Sequence, residues 1–160
     1  MTGTRDWKAE LAIIRASAAG REALIVDSFA RVTGGALLPA GSDPIAALWN
    51  LPTVVVAHGT EADPLFFYGN RAALTLFEMR AEEFVRFPSR LSAEAPEREA
   101  RAKLMERVKR ANFVDNYSGV RVSATGKRFW IDAACVWNML GEDGGVRGQA
   151  AAFAGWTPLD

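Results

Sequence analysis

From residue 115 onward the sequence repeats with a period of two, and this run constrains the fold more than any other feature. "YSGVRVSA" alternates, "TGK" can turn the chain, and "RFWIDAACVWNML" continues extended. "GEDGG" then makes a second turn before "VRGQAAAFAGW". Successive side chains of a strand point to opposite faces, so alternation reads as strand, and short Gly-bearing breaks read as hairpin turns. Three hairpin-linked strands cannot close a core alone, so their sheet must bury a face against helices from the rest of the chain. Strict alternation in the middle strand would place Phe129, Ile131, Ala133, Cys135, Trp137 and Met139 on one face.

Upstream, the period changes. Trp7, Leu11, Ile14 and Ala18 recur at helical spacing, as do Leu24, Ile25, Phe29 and Val32, and Gly20 either divides two helices or bends one. "SDPIAALWN" carries an Asp cap followed by Pro and predicts a short helix over 44–49 that stops before Pro52. "TVVVA" and "LFFYG" read as strands joined by the turn "GTEADP". Asn70 can cap the helix "RAALTLFE", and 97–111 has a stripe of Leu104, Met105, Val108 and Ala111. The order predicts an α+β fold with an antiparallel sheet and central helices on one face. The N-terminal helices cover the other face or a neighbouring subunit.

Nineteen basic residues balance nineteen acidic ones, so there is no electrostatic footprint for nucleic acid or an anionic membrane. The basic stretch "REARAKLMERVKR" mixes both signs and reads as a solvated helix face. Cys135 is alone, which excludes an intrachain disulfide and fits a reducing cytoplasm. "MTGTRDWKAE" lacks the regions of a signal peptide, and no apolar run reaches the roughly 20 residues that span a bilayer. A soluble cytoplasmic protein is therefore expected. The Gly-rich stretches match neither a phosphate-binding loop nor a dinucleotide fingerprint, and there is no nucleophile elbow. One His and one distant Cys make no metal site.

Several long blocks occur in a telling order: "DSFARVTGGALLP", "HGTEADPLFFYGNRAALTLFE", "FPSRLSAE", "NYSGVRVSATGKRFWI" and "VWNMLGEDGGVRGQAA". Together they resemble the MEKHLA domain, a PAS-related family of bacterial stand-alone proteins that also occurs at the C-terminus of plant class III homeodomain–leucine zipper proteins. The resemblance implies a PAS-like five-stranded antiparallel sheet with strands near 53–57, 65–69, 116–124, 128–139 and 146–156. Central helices near 70–111 would cover its concave face, with the N-terminal helices outside the core. It divides the chain into an N-terminal helical segment, 1–40, suited to dimerisation, and a PAS-like domain, 41–160. PAS-related domains hold small molecules or cofactors under those helices, or serve as dimerisation modules. The resemblance implies no enzymatic activity and names no ligand. "GQ" at 148–149 is similar to the strand of flavin-binding light sensors in which a Gln reads the flavin ring. Their reactive cysteine has no counterpart in "FPSRLSAE", which leaves a non-covalent flavin or a small organic ligand.

The residues singled out for ligand binding are His58, Tyr68, Asn70, Arg90, Tyr117, Arg121, Trp137, Asn138 and Gln149. Tyr68, read on the strand face of Phe66, serves either core packing or a pocket. Asn70 has a capping role to which a ligand contact would be added. Arg90 either holds a carboxylate or phosphate, or is a surface Arg or part of an internal salt bridge. Arg121 and Tyr117 share a strand face; if helices cover that face, the Arg needs a partner, and a ligand anion is one. His58, close to Glu61 and Asp63, reads as a strand-end residue satisfied by backbone. The leading expectation is a sensory or regulatory binding module that signals through association with itself, as a homodimer, or with another protein. The alternative is a small cone-shaped α+β isomerase or dehydratase, with His58 and a carboxylate such as Asp132 as acid and base.

Overall fold

Two helices separated at Gly20 begin the chain: α1, Trp7–Ala18, and α2, Glu22–Thr33. The computed structural model describes residues 5–92 and 95–159, with side chains throughout these except at 95–98 and 101. The block "FPSRLSAE" thus ends on two residues outside the described ones. Asp6 caps α1 by accepting from Ala9 N–H, and α3, Pro44–Asn50, starts at the Asp43 cap expected from "SDP". Strands β1, Val54–His58, and β2, Phe66–Gly69, follow. Next come α4, Arg71–Phe77, α5, Ala81–Phe84, a single 3₁₀ turn at Ser89–Ser92, and α6, Ala95–Ala111. The chain closes with β3, Phe113–Val122, β4, Arg128–Leu140, β5, Val146–Phe153, and β6, Gly155–Pro158.

The sheet is antiparallel throughout, in the order β2-β1-β5-β4-β3. The last predicted strand is broken in two. β5 lies between β1 and β4, whereas β6 continues along β4 alone, opposite Phe129–Asp132. Helices α4 and α6 cup one face of the sheet. On the other face, outside the cup, α1 packs on β2 and α2 on β4.

Bulges decide which residues face the cup. Val114 pairs with Val136, Tyr117 with Ala134 and Gly119 with Ile131. Each strand therefore carries one extra residue: β3 near Asn116 (φ 62°) and β4 near Ala133 (φ 51°). Because side chains alternate, one inserted residue exchanges the faces beyond it. Phe129 and Ile131 point into the cup, but past the bulge it is Ala134, Val136 and Asn138 that do so. Cys135, Trp137 and Met139 point outward, which corrects the single face expected from strict alternation. Likewise His58 pairs with Phe66 while its neighbour Ala57 pairs with Tyr68. The extra residue Phe67 sends Phe66 inward and Tyr68 outward, not to one face.

The outer layer is held by specific bonds. Trp137, fully buried, donates its indole N–H to the Ile25 carbonyl at 3.2 Å and meets the Phe29 ring edge-on at 4.9 Å. Ser28 Oγ accepts from Leu140 N–H at 2.9 Å, and Ser17 Oγ donates to the Phe67 carbonyl at 2.8 Å. Glu10, buried, accepts from Ala81 N–H at 2.9 Å at the start of α5 and is paired with Arg5 at 2.6 Å. The apolar stripes of α1 and α2 are used up here: Ile14, Ala18 and Ile25 are fully buried in the main core.

Candidate functional site

The cup holds a cavity of about 70 Å³. Its sheet wall includes Val56, His58, Tyr117, Arg121, Ile131, Val136, Gln149 and Phe153, and its cover includes Phe77 of α4, Ser89 and Ser92 of the 3₁₀ turn, and Leu104 and Met105 of α6. Most of this lining is apolar, with a few polar groups set into it, the usual composition of a small-molecule site. A larger groove of about 590 Å³ lies outside, among Trp49, Leu76, Trp156 and Pro158, and is open to solvent. The cavity under the helices is the stronger candidate, because among the described residues a buried cation is found only there.

That cation is Arg121, 8% exposed. It donates to the Val120 carbonyl at 2.8 Å and to the Tyr117 hydroxyl at 3.0 Å, and its guanidinium stands 5.4 Å from the Tyr117 ring centre. Gly119 makes this possible: a Cβ there would lie 2.6 Å from the Tyr117 hydroxyl. Across the sheet runs a polar row. His58 pairs with Gln149 and Gln149 with Asn138. Gln149 Nε2 donates to Asn138 Oδ1 at 3.3 Å, and Asn138 Nδ2 donates to the Val108 carbonyl at 3.3 Å and Asn112 Oδ1 at 3.2 Å. The row thus connects the cavity to the C-terminal end of α6. His58 Nδ1 lies 2.9 Å from the Gly59 carbonyl.

Of the nine residues singled out in the sequence, His58, Tyr117, Arg121 and Gln149 line the cavity together. Asn138 is on the same face, engaged with α6. The other four lie elsewhere, each for a physical reason. Trp137 and Tyr68 are turned to the outer face by the bulges. There burial, with the Glu22 carboxylate adding, pushes the Tyr68 phenol far above its ordinary range. Asn70 is fully buried and engaged with backbone on both sides of its amide. Arg90 points to solvent and pairs with Asp63 at 3.0 Å. Ser89 and Ser92, not foreseen from sequence, take the inward places in "PSRLS", because residues three apart eclipse in a 3₁₀ turn and Arg90 falls on the opposite side.

Two chemistries can be tested against this lining. The enzyme alternative, in the form that pairs His58 with Asp132, needs the two side by side. Asp132 is exposed on the outer face, where it accepts from Ser118 Oγ at 3.3 Å, so the sheet separates the two. At about 70 Å³ the space is smaller than the roughly 300–1,000 Å³ of pockets that enclose ligands of drug size, such as a flavin. Cys135, outward-facing and half-buried, has its thiol pushed up to about 11, first by burial and then by the Asp115 carboxylate. At pH 8 only about one thiol in a thousand is then ionised, so a thiol reagent such as DTNB is expected to react on the order of a hundredfold more slowly than with free cysteine. Stopped-flow absorbance would check this, and a rate equal to that of the unfolded chain would contradict the burial. Among the described residues no group of three His, Cys, Asp or Glu could hold a metal ion, and no helix is long and apolar enough to cross a membrane.

The fold is that of PAS and light-oxygen-voltage domains. A PAS domain from Colwellia psychrerythraea superimposes with a TM-score of 0.59 at 12% identity, over 69% of this chain and 89% of that one. A light-oxygen-voltage domain studied with a flavin analogue gives a TM-score of 0.59 at 16% identity, over 75% and 87%. RsLOV gives 0.56 at 12%, over 69% and 62%. No curated protein sequence matches this chain. The MEKHLA domain model matches residues 19–158, from the start of α2 through β6, and the chain belongs to the MEKHLA domain family.

Proposed function

We propose that this protein is a sensory or regulatory module that binds a small molecule in the cavity and passes its occupancy on through protein association. The observation that carries this reading is a partly open cavity under the helices with polar groups set into an apolar lining, wired to a helix end by Gln149 and Asn138. A ligand that rearranges the Gln149 amide competes for the bond to Asn138, and so biases how the end of α6 sits on the sheet. Association with itself or another protein then reads the two packings. A homodimer through residues 5–33 would use the exposed sides of α1 and α2, since their apolar sides are buried within the chain.

The test is a fragment screen by methyl NMR on the full chain. Compounds of about four to six non-hydrogen atoms are expected to shift the methyl signals of Val56, Ile131 and Val136 saturably, with sedimentation followed in parallel. A screen in which no compound moves a cavity methyl would sink the binding module.

A further inference from the structure

We infer that the ligand of this cavity is a short monocarboxylate, held by its carboxylate on Arg121. The inference rests on the binding module proposed above and gives its ligand a chemical class.

Four ion pairs form among the described residues elsewhere in this fold. Arg90 pairs with Asp63 at 3.0 Å, Lys127 with Glu78 at 3.5 Å and Arg147 with Asp143 at 2.8 Å, all at the surface, while the partly buried Arg5 has Glu10 at 2.6 Å. Arg121 is buried more deeply than any of these cations, and no carboxylate lies within ion-pair distance of it among the described residues. A buried charge is costly unless it is paired and hydrogen-bonded. Its two bonds, to Val120 and Tyr117, stay within its own strand and tie no second element to the sheet, so architecture gives no reason to bury a guanidinium here. Two bonds also leave most of a fork of five donors unused, and that fork matches a carboxylate with two parallel hydrogen bonds.

Size and charge narrow the class. A water-sized space takes roughly 10–15 Å³, so 70 Å³ accommodates about five non-hydrogen atoms, the size of propionate. One guanidinium neutralises one negative charge. A dicarboxylate, or inorganic phosphate with its second charge, would bury a second anionic charge for which the lining offers only the His58 imidazole. The remaining wall near Arg121, including Ile131, Ala134 and Phe153, suits an aliphatic body.

Propionate, propionamide, succinate and inorganic phosphate should be titrated against the full chain by methyl NMR. Propionate is expected to shift the Ile131 methyl saturably and to bind at least tenfold more tightly than the other three. Arg121→Met is expected to lose propionate binding while its ligand-free melting temperature stays the same or rises, because it removes an uncompensated buried charge. Arg121→Lys, which keeps the charge but not the fork, should retain part of the affinity. Propionamide or phosphate binding as well as propionate would overturn the inference. So would unchanged propionate affinity in a folded Arg121→Met variant, or a fall of many degrees in its melting temperature, the mark of a purely structural Arg. If neutral fragments move the cavity methyls and no carboxylate does, the carboxylate class is wrong and the binding module stands. If nothing moves them, both fall.

Discussion

Asn70→Ala is expected to lower the unfolding free energy by about 3–5 kcal/mol. A domain of this size holds about 5–15 kcal/mol in all, so the variant would be close to unfolding. The side chain is fully buried and serves three elements. Its Oδ1 accepts from Ala73 N–H, which caps α4, and from Val55 N–H in β1, each at 3.1 Å. Its Nδ2 donates to the Leu48 carbonyl of α3 at 3.1 Å and to the Thr53 carbonyl at 2.8 Å. Alanine leaves these four buried backbone groups without a partner, and each such group costs about 1–3 kcal/mol. Asn70→Asp separates the two halves of the role. Asp caps a helix as well as Asn does, but it presents an anion to two carbonyls, so it should be destabilised comparably. Urea unfolding followed by tryptophan fluorescence and circular dichroism measures both. A loss within about 1 kcal/mol in either variant would mean that α3, β1 and α4 are not joined through this amide.

Gly148→Ala should be nearly as damaging, with a loss of more than about 3 kcal/mol, because two penalties combine. Its φ of 152° is one that side-chain-bearing residues rarely adopt, and an added Cβ would lie 2.4 Å from the His58 carbonyl oxygen and 2.5 Å from Met139 Cε. The first of these is backbone, so relief requires β1 and β5 to part where His58 faces Gln149. The same substitution should therefore disturb the cavity methyls in ligand-free protein. Thermal unfolding within a few degrees of the parent would show that the strands separate there at little cost.

Structure is legible in the sequence where one residue decides the outcome locally. Asp43 before Pro44 and Asn70 before "RAAL" announce helix starts, and both cap as expected. Alternation and Gly-bearing turns located the three C-terminal strands, and their need for a cover implied helices on one face. Arg121 and Tyr117 were placed on one strand face, where they are. Tyr68 and Trp137 were legible as strand residues but not as outer-face residues. Arg90 was legible as a break in the helical block, but not as the outward side of a 3₁₀ turn whose serines point in.

By itself, then, the sequence determined the order of elements, the antiparallel sheet and the shared strand face of Arg121 and Tyr117. Each follows from neighbours a few positions apart: caps, periods and turns. Only the tertiary structure decided which strand residues look into the cup. A single extra residue at Phe67, near Asn116 or near Ala133 reverses every side chain beyond it, and whether that residue is accommodated as a bulge depends on the pairing strand. The burial of Arg121 with no carboxylate partner among the described residues is likewise a tertiary fact, set by which residues the helical cover brings over the sheet.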